Sequence, residues 1–416
     1  MNCHGCYKPN IEGYCPACRK RLFDGLAITP VLPYDAPRAD NLAPFQEKTK
    51  RLSIPGVQLK YSLKLEGKEL VLTESGGQYI LKPIPPTTFL TEANQAPENE
   101  HLTMQIATRL YNIPTAANGL IYFKDATPAY ITRRFDIKKD GSKYQQEDMA
   151  QVSGRSKETN GEHFKYEGTY EEVGQLIRKY VAAYPPALEN FFRLVLFNYL
   201  FSNGDAHLKN FSLIRTEMGD YTLSPAYDLM CTALHTPEES DTALDLYKGA
   251  MDSPFYSVYG YYGQADFRAL ADKIGLVPVR RDRILDQFLS SKELVLPMIQ
   301  NSFLSEEAKI KYIHAYTDKL IRLGVTRDMI ARMMNPEYPG VSASTDKPIR
   351  LLFRGNVQKT GFFDTTEKSE ALEKENKYTF VETTNSRKYL DKHDEKYITV
   401  IDGDLVLGMG NLEMGE

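Results

Sequence analysis

A chain of 416 residues with 42% hydrophobic content holds enough apolar surface for about two or three cores of ordinary domain size. Its 51 basic and 55 acidic residues leave a net charge of −4, so no global field favours nucleic acid or an anionic membrane as the main partner. No apolar run reaches the ~20 residues of a membrane span, the densest being LVLFNYLF at 194–201, and the N-terminus lacks a signal-peptide core; a globular, cytoplasmic protein is expected.

The first expected unit, residues 1–28, is a metal knuckle. Four of the five cysteines stand as Cys3-x2-Cys6-x8-Cys15-x2-Cys18. Each CxxC pair wraps one side of a tetrahedral ion through a tight turn, helped by Gly5 and Pro16, and thiolates suit zinc, which is borderline-soft and redox-silent. Two disulfides or four unliganded thiols are the competing readings; a reducing cytoplasm disfavours the first and the doubled CxxC the second. With four protein ligands a Zn2+ has no open position and is expected to be structural, with His4 a neighbour and not a ligand. A Pro-rich connector spans 29–49, including TPVLPYDAPRADNLAP at 29–44.

Residues 50–136 read as strand-rich with one helix. SIPGVQLKYS at 53–62 turns around Gly56, with Ser53, Gln58 and Lys60 beside it. Lys82 lies in the strand-like run Tyr79-Ile80-Leu81-Lys82. Eighteen residues on, Glu100 stands at the start of NEHLTMQIATRL, whose Leu102, Ile106 and Leu110 repeat at fours along a helix face. TPAYITRRFD at 127–136 is an apolar strand that ends in polar residues, the last being Asp136.

Residues 137–335 read as mainly helical. PALENFFRLVLFNYLF at 186–201 carries Leu188, Phe191, Phe192, Val195, Leu196, Tyr199 and Leu200 at helical spacing, and Ser202, Asn203 and Gly204 stop that helix. The loop after it holds Asp205, His207, Lys209 and Asn210. FSLIR at 211–215 and YTLSP at 221–225 follow, joined through Met218-Gly219-Asp220 as a hairpin, and then a second acid, Asp228. The breakers Pro-Glu-Tyr-Pro-Gly at 336–340 close the region. Residues 341–416 hold the alternating segments IRLLFRG, KYTFVETT and KYITVIDGDLVLGM between charged stretches, a small β-rich appendage without an assigned role.

Helix, loop with Asp205 and Asn210 five apart, hairpin, Asp228: this is the order that phosphoryl transfer uses in protein kinases. One carboxylate accepts the acceptor hydroxyl's proton, while an amide oxygen and a second carboxylate hold the Mg2+ ions that bridge the phosphates of ATP. Asp205 is therefore expected as base and Asn210 and Asp228 as Mg2+ ligands. Lys209 is expected to balance charge on the transferred group, and His207 either to orient Asp205 or to anchor the loop. Upstream, Lys82 is expected on the phosphates with Glu100 as its ion-pair partner; Glu98 and Glu100 compete with a second role, a helix-start acid facing solvent. Ser53, Gly56 and Lys60 form the expected phosphate-covering loop, with one glycine in place of G-x-G-x-x-G, and Lys60 is either a phosphate contact or a solvated strand residue. Asp136 is placed to reach the ribose.

Taken together, SIPGVQ at 53–58, YILKP at 79–83, NEHLTMQIA at 99–107, RRFD at 133–136, KYEGTYEE at 165–172, SNGDAHLKNFSL at 202–213 and SPAYDLM at 224–230 resemble the HipA-type Ser/Thr kinases. The resemblance spans about residues 50–335. It implies an α+β, two-lobed protein-kinase-like fold with a β-rich N-lobe at 50–136 and a helical C-lobe at 137–335, ATP and Mg2+ as cofactors, and a bacterial toxin of a toxin–antitoxin module. It further implies a protein substrate of the aminoacyl-tRNA synthetase class and a HipB-like DNA-binding antitoxin as partner, while the charge balance and the lack of an apolar span lead us to expect no direct nucleic-acid or membrane binding. It gives Asp205, Asn210, Asp228 and Lys82 the roles above and makes Ser53 a candidate autophosphorylation site, whereas the residues alone allow it to be a turn serine. Long members of the family carry an extra β-rich subdomain before the SIxG loop; here about 50 residues precede it, held by the knuckle, which reads as a short or split form. Arg133 stands where some relatives have an acid.

P-loop, zincin and hydrolase-elbow motifs do not occur in the sequence. Two other classes stay open at this point: a kinase-fold enzyme for a small molecule or lipid, and a catalytically silent binding module whose knuckle contacts an antitoxin or nucleic acid.

Overall fold

The computed structural model describes residues 2–37, 59–86 and 90–324, together with strands at 349–353, 358–363, 377–382, 399–402 and 406–411. Ser53 and Gly56 lie outside these residues. The chain divides into two units, Met1–Thr326 and Arg327–Glu416.

The first unit begins with the cysteine segment and helix α1 (Pro16–Phe23), which starts on a proline and stops at Asp24 in left-handed backbone, φ 52°. Five antiparallel strands follow: β1 (Tyr61–Glu66), β2 (Glu69–Leu72), β3 (Tyr79–Pro83), β4 (Asn118–Tyr122) and β5 (Pro128–Arg133). Their order is β2-β1-β3-β5-β4, and the register sets Lys82 opposite Tyr130. One apolar cluster joins Leu63, Leu81, Ile121 and Ile131 of this sheet to Tyr14, Leu22 and Phe23 of the cysteine segment, so the knuckle is docked on the sheet.

Helix α2 (Ala96–Leu110) packs against β4 and β5 and, elsewhere on its surface, against α7 (Lys292–Gln300). Contact on several sides buries every residue from Ala96 to Ala107, polar ones included. The helical part is built on α3 (Tyr170–Tyr180), α4 (Tyr184–Leu200), α5 (Gln264–Ile274), α6 (Pro278–Ser290), α7 and α8 (Glu306–Gly324). Phe191, Phe192, Val195, Leu196, Tyr199 and Leu200 of α4 lie at the centre of its core, as their spacing predicts. α4 gives way at Ser202, φ 51°. A small antiparallel sheet, β6 (Gln146–Asp148), β7 (Ser212–Arg215) and β8 (Tyr221–Leu223), contains the expected hairpin and holds the C-terminal end of the polar loop through β7.

The second unit is an antiparallel sheet of β9 (Ile349–Phe353), β10 (Gln358–Phe363), β11 (Lys377–Glu382), β12 (Thr399–Asp402) and β13 (Val406–Asn411), in the order β12-β11-β10-β9-β13. β10 is the strand that the alternation pattern did not single out; QKTGFF interrupts its alternation with a glycine. The α+β class, with a β-rich part, a helical part, an N-terminal cysteine cluster and a β-rich C-terminal unit, is the one read from the sequence. Among the described residues no helix is long and apolar enough to cross a membrane.

Candidate active site

The site is assembled around Lys82. β3 carries this side chain almost wholly out of water, beneath the ring of Tyr130 at 5.3 Å. Its Nζ donates to Glu100 Oε1 at 2.5 Å and also to Asp228 Oδ1. Burial works against the ammonium, but Asp228 and Glu100 more than offset it and hold the pKa above the usual lysine value. Glu100 is 1% exposed; burial pushes its pKa up to about 7, with Lys82 opposing. Of the two acids near the start of α2, Glu100 is the lysine's partner. Glu98 is no surface acid: it is 7% exposed, its Oε2 has no hydrogen-bond partner, and burial raises its pKa to about 7.

Asp228 sits in left-handed backbone, φ 56°, a conformation that costs a non-glycine residue about 1 kcal/mol and that the surroundings must impose. It takes Lys82 on one oxygen and faces Lys60 at 3.4 Å and Asn210 Nδ2 at 3.5 Å with the other. Burial disfavours its charge, yet Lys82 and Lys60 overcome this and hold the carboxyl well below the usual range. Lys60 therefore points into the site although its side chain is 46% exposed.

The loop between α4 and β7 is held by its backbone. Asn203 donates to Asn198 Oδ1 at 3.0 Å, and the Gly204 N–H donates to the Thr232 hydroxyl, which itself donates to the Ser202 carbonyl. Tyr170 donates to the Ala206 carbonyl at 2.9 Å, and the His207 N–H to Asn210 Oδ1 at 3.2 Å. The His207 ring stands 3.9 Å from Asp205 Oδ1, beyond hydrogen-bond length. Burial lowers its pKa, so the ring is neutral at pH 7 and its loop is anchored through the main chain. Asp205 is half exposed and accepts a 2.6 Å hydrogen bond from the Tyr166 hydroxyl. Lys209 lies 5.9 Å from the Phe164 ring.

These groups share a cavity of about 930 Å³, lined by Lys60, Lys82, Glu100, Asp205, Asn210 and Asp228 among others. A smaller hollow of about 190 Å³, sharing Lys60, Lys82, Tyr227 and Asp228, adds the apolar walls Ile80, Ala116, Tyr130 and Phe135. Asp136 lines both, but Arg134 forks onto it at 2.9 and 2.5 Å, so it faces the cavity already paired. The donor set fits Mg-nucleotide: the Asp228 carboxylate with the Asn210 amide beside it, a charged lysine, an unpartnered Glu100 Oε2, and an apolar annex for a planar base.

The four cysteines form a separate cluster whose sulfurs lie within 4.8 Å of one another. Cys6 and Cys15 are 3.7 Å apart, close to the ~3.8 Å edge of a tetrahedron with 2.3 Å Zn–S bonds and far from disulfide length. The Cys15 N–H donates to Cys3 Sγ at 3.1 Å, as thiolate ligands commonly require. His4 packs edge-on against Tyr14, Tyr122 and Phe303 and is not part of the cluster.

Sequence reasoning did not assign Tyr166, Thr232 or Asn203. KYEGTYEE offered a signal for Tyr166, but its bond to Asp205 spans 39 residues and no local spacing reveals it.

Residues 52–294, more than half of the chain, match the HipA-like C-terminal domain. Relatives that bear the name "putative kinase" include one from Haemophilus influenzae, 25% identical over 76% of this chain and 94% of its own length. Another, from Sinorhizobium fredii, is 31% identical over 51% of this chain, which spans about half of that relative (53%). Two solved structures are similar at low scores. The Shewanella oneidensis toxin–antitoxin complex of HipA, HipB and operator DNA gives TM-score 0.47 at 22% identity, covering 65% of this chain and 64% of that one. The Helicobacter pylori proinflammatory kinase CtkA gives TM-score 0.39 at 16% identity, covering 62% and 89%. The chain belongs to the HipA-like family of kinases.

Proposed function

We propose that this protein is an ATP- and Mg2+-dependent Ser/Thr protein kinase of the HipA toxin type. The observation that carries the reading is convergence: Lys82, Glu100, Asp205, Asn210 and Asp228, from four separated segments, line one cavity. When bound, Mg-ATP supplies an activated γ-phosphoryl group. Asp205 takes the acceptor hydroxyl's proton and orients its oxygen for attack. Lys82, kept charged and aimed by Glu100, holds phosphate oxygens, while Asn210 and Asp228 offer the hard ligands that Mg2+ prefers. Lys60 and Lys209 add positive charge, the apolar annex would accept the base, and Asp136 would have to part from Arg134 to hold the ribose. His207 keeps the loop in shape.

Family membership and the quoted motifs support the remaining parts: a protein substrate of the aminoacyl-tRNA synthetase class, a HipB-like DNA-binding antitoxin as partner, a bacterial cytoplasmic setting and autophosphorylation at Ser53. A phosphate there would add ~−1.5 to −2 charge to the loop expected to cover the nucleotide phosphates and would inhibit by repulsion. Zn2+ at Cys3, Cys6, Cys15 and Cys18 is structural.

The test combines Mg-ATP titration with transfer from labelled ATP. Asp205→Asn retains nucleotide binding and loses about 10²–10⁴-fold in transfer; Asp228→Asn loses the Mg2+-dependent part of binding. Wild type that binds no Mg-ATP, or near-normal transfer by Asp205→Asn, would falsify the kinase reading in favour of a binding module.

A further inference from the structure

The Tyr166 hydroxyl sits on Asp205, the expected base. It donates to Asp205 Oδ1 at 2.6 Å, the same bond that an acceptor hydroxyl makes to its base, and Tyr166 lines the same cavity as Lys82, Asn210 and Asp228. The contact is built. Tyr166 ends a short turn, Phe164–Tyr166, closed by its own N–H to the His163 carbonyl at 2.8 Å. Its ring meets His207 edge-on at 5.3 Å. Burial and the adjacent Asp205 carboxylate raise the phenol's pKa, so it is a protonated donor at neutral pH.

We propose that Tyr166 is an intramolecular phosphate acceptor, a modification site filled by the chain's own kinase centre. The proposal rests on the kinase reading given above. In the step, the Tyr166 oxygen attacks the γ-phosphorus of a bound nucleoside triphosphate and its proton passes to Asp205 Oδ1. An O–P bond forms to the phenol, the bond from the γ-phosphorus to the β–γ bridging oxygen breaks, and the nucleoside diphosphate leaves with that electron pair. The product dianion has cations at hand. Lys165 lies over the Tyr166 ring at 4.8 Å, and Lys209 lines the same cavity. Phosphotyrosine at 166 removes the hydroxyl from Asp205 and leaves an anion at the cavity, closing the site to a second acceptor.

The full-length protein is incubated with Mg-ATP and its phosphorylated residues are mapped by mass spectrometry. Phosphate on Tyr166 is expected, lost in Tyr166→Phe and in Asp205→Asn, with a rate constant independent of protein concentration. Transfer to Ser53 or other hydroxyls with Tyr166 unmodified overturns the proposal and leaves the kinase reading standing. Nucleotide binding with no transfer also overturns it, as does a rate that rises with protein concentration, which marks transfer between copies. Failure of wild type to bind Mg-ATP removes both. A nucleotide-free readout is independent of turnover: carbodiimide labelling of Asp205 is expected to be faster in Tyr166→Phe, and an unchanged rate means that Tyr166 does not occupy the base and overturns the proposal.

Discussion

Arg109, in the last turn of α2, donates to the main-chain carbonyl of Cys6, so the helix that bears Glu100 is tied to the cysteine knuckle. Tyr7 adds to the tie by packing on His101 with ring centroids 4.9 Å apart. The knuckle is thereby a support for the site as well as a local fold. About one equivalent of zinc per chain is expected by metal analysis. Stripping it with a chelator, or Cys6→Ser, should lower stability by about 4 kcal/mol or more, the range of lost structural metals. Mg-ATP affinity should fall with it, because α2 loses an anchor. Unchanged thermal melting after complete removal of zinc would refute this.

Lys82 stands between two carboxylates, and its two kinds of truncation should differ. Breaking a buried ion pair by removing one partner costs about 3–5 kcal/mol. Lys82→Met leaves Glu100 and Asp228 facing each other without a cation and is expected at the top of that range. Glu100→Gln leaves Lys82 its bond to Asp228 and is expected at the bottom. Urea titration of both variants measures the gap, and equal losses would show that Asp228 does not share the lysine.

The kinase elements were legible where the chemistry is local. Asp205 and Asn210 stand five apart in one loop, Lys82 lies in a recognisable strand, and the helix with Glu100 shows its face at every fourth residue. The cysteine ligand set was equally plain, since its spacing is itself the geometry. What stayed hidden depends on packing between distant segments. Asp136 is the ribose candidate by position, yet two residues before it Arg134 supplies a fork that occupies the carboxylate. Glu98 and Glu100 are indistinguishable in the sequence; the turn of α2 beside β3 gives one to Lys82 and leaves the other buried and unpaired. Docking of the knuckle through Tyr14 and Phe23 depends on the far face of the sheet, which no periodicity within residues 1–28 announces.

Glu98 predicts a pH effect of definite sign. Its pKa is raised by burial from 4.5 to about 7, so between these values the folded chain keeps a proton that the unfolded chain releases. Its stabilising contribution is full below pH ~4.5 and is lost as pH rises through ~7, by about 3 kcal/mol in all. Glu98→Gln, which cannot ionise, should therefore be more stable than wild type at pH 8 and show a flatter stability profile from pH 5 to 8. Denaturant midpoints of the two proteins across that range decide it; parallel profiles would mean that Glu98 ionises without penalty.

Gly204 stands directly before Asp205, and its lack of a side chain is what lets the loop close against the segment 239–240. A Cβ at this position would overlap the Ser240 carbonyl oxygen and come within 2.8 Å of the Glu239 side chain. Backbone cannot yield as the end of a side chain can, so in Gly204→Ala the loop must move and Asp205 moves with it. The overpacking should cost about 1–3 kcal/mol of stability. A shift of roughly 1 Å at a base is enough to cost about 10²-fold in the chemical step. Lys82 and Glu100 come from other elements, so nucleotide affinity should change far less than single-turnover transfer does. Transfer at the wild-type rate in Gly204→Ala would show that the loop tolerates displacement and that Asp205 is not held to one position by this contact.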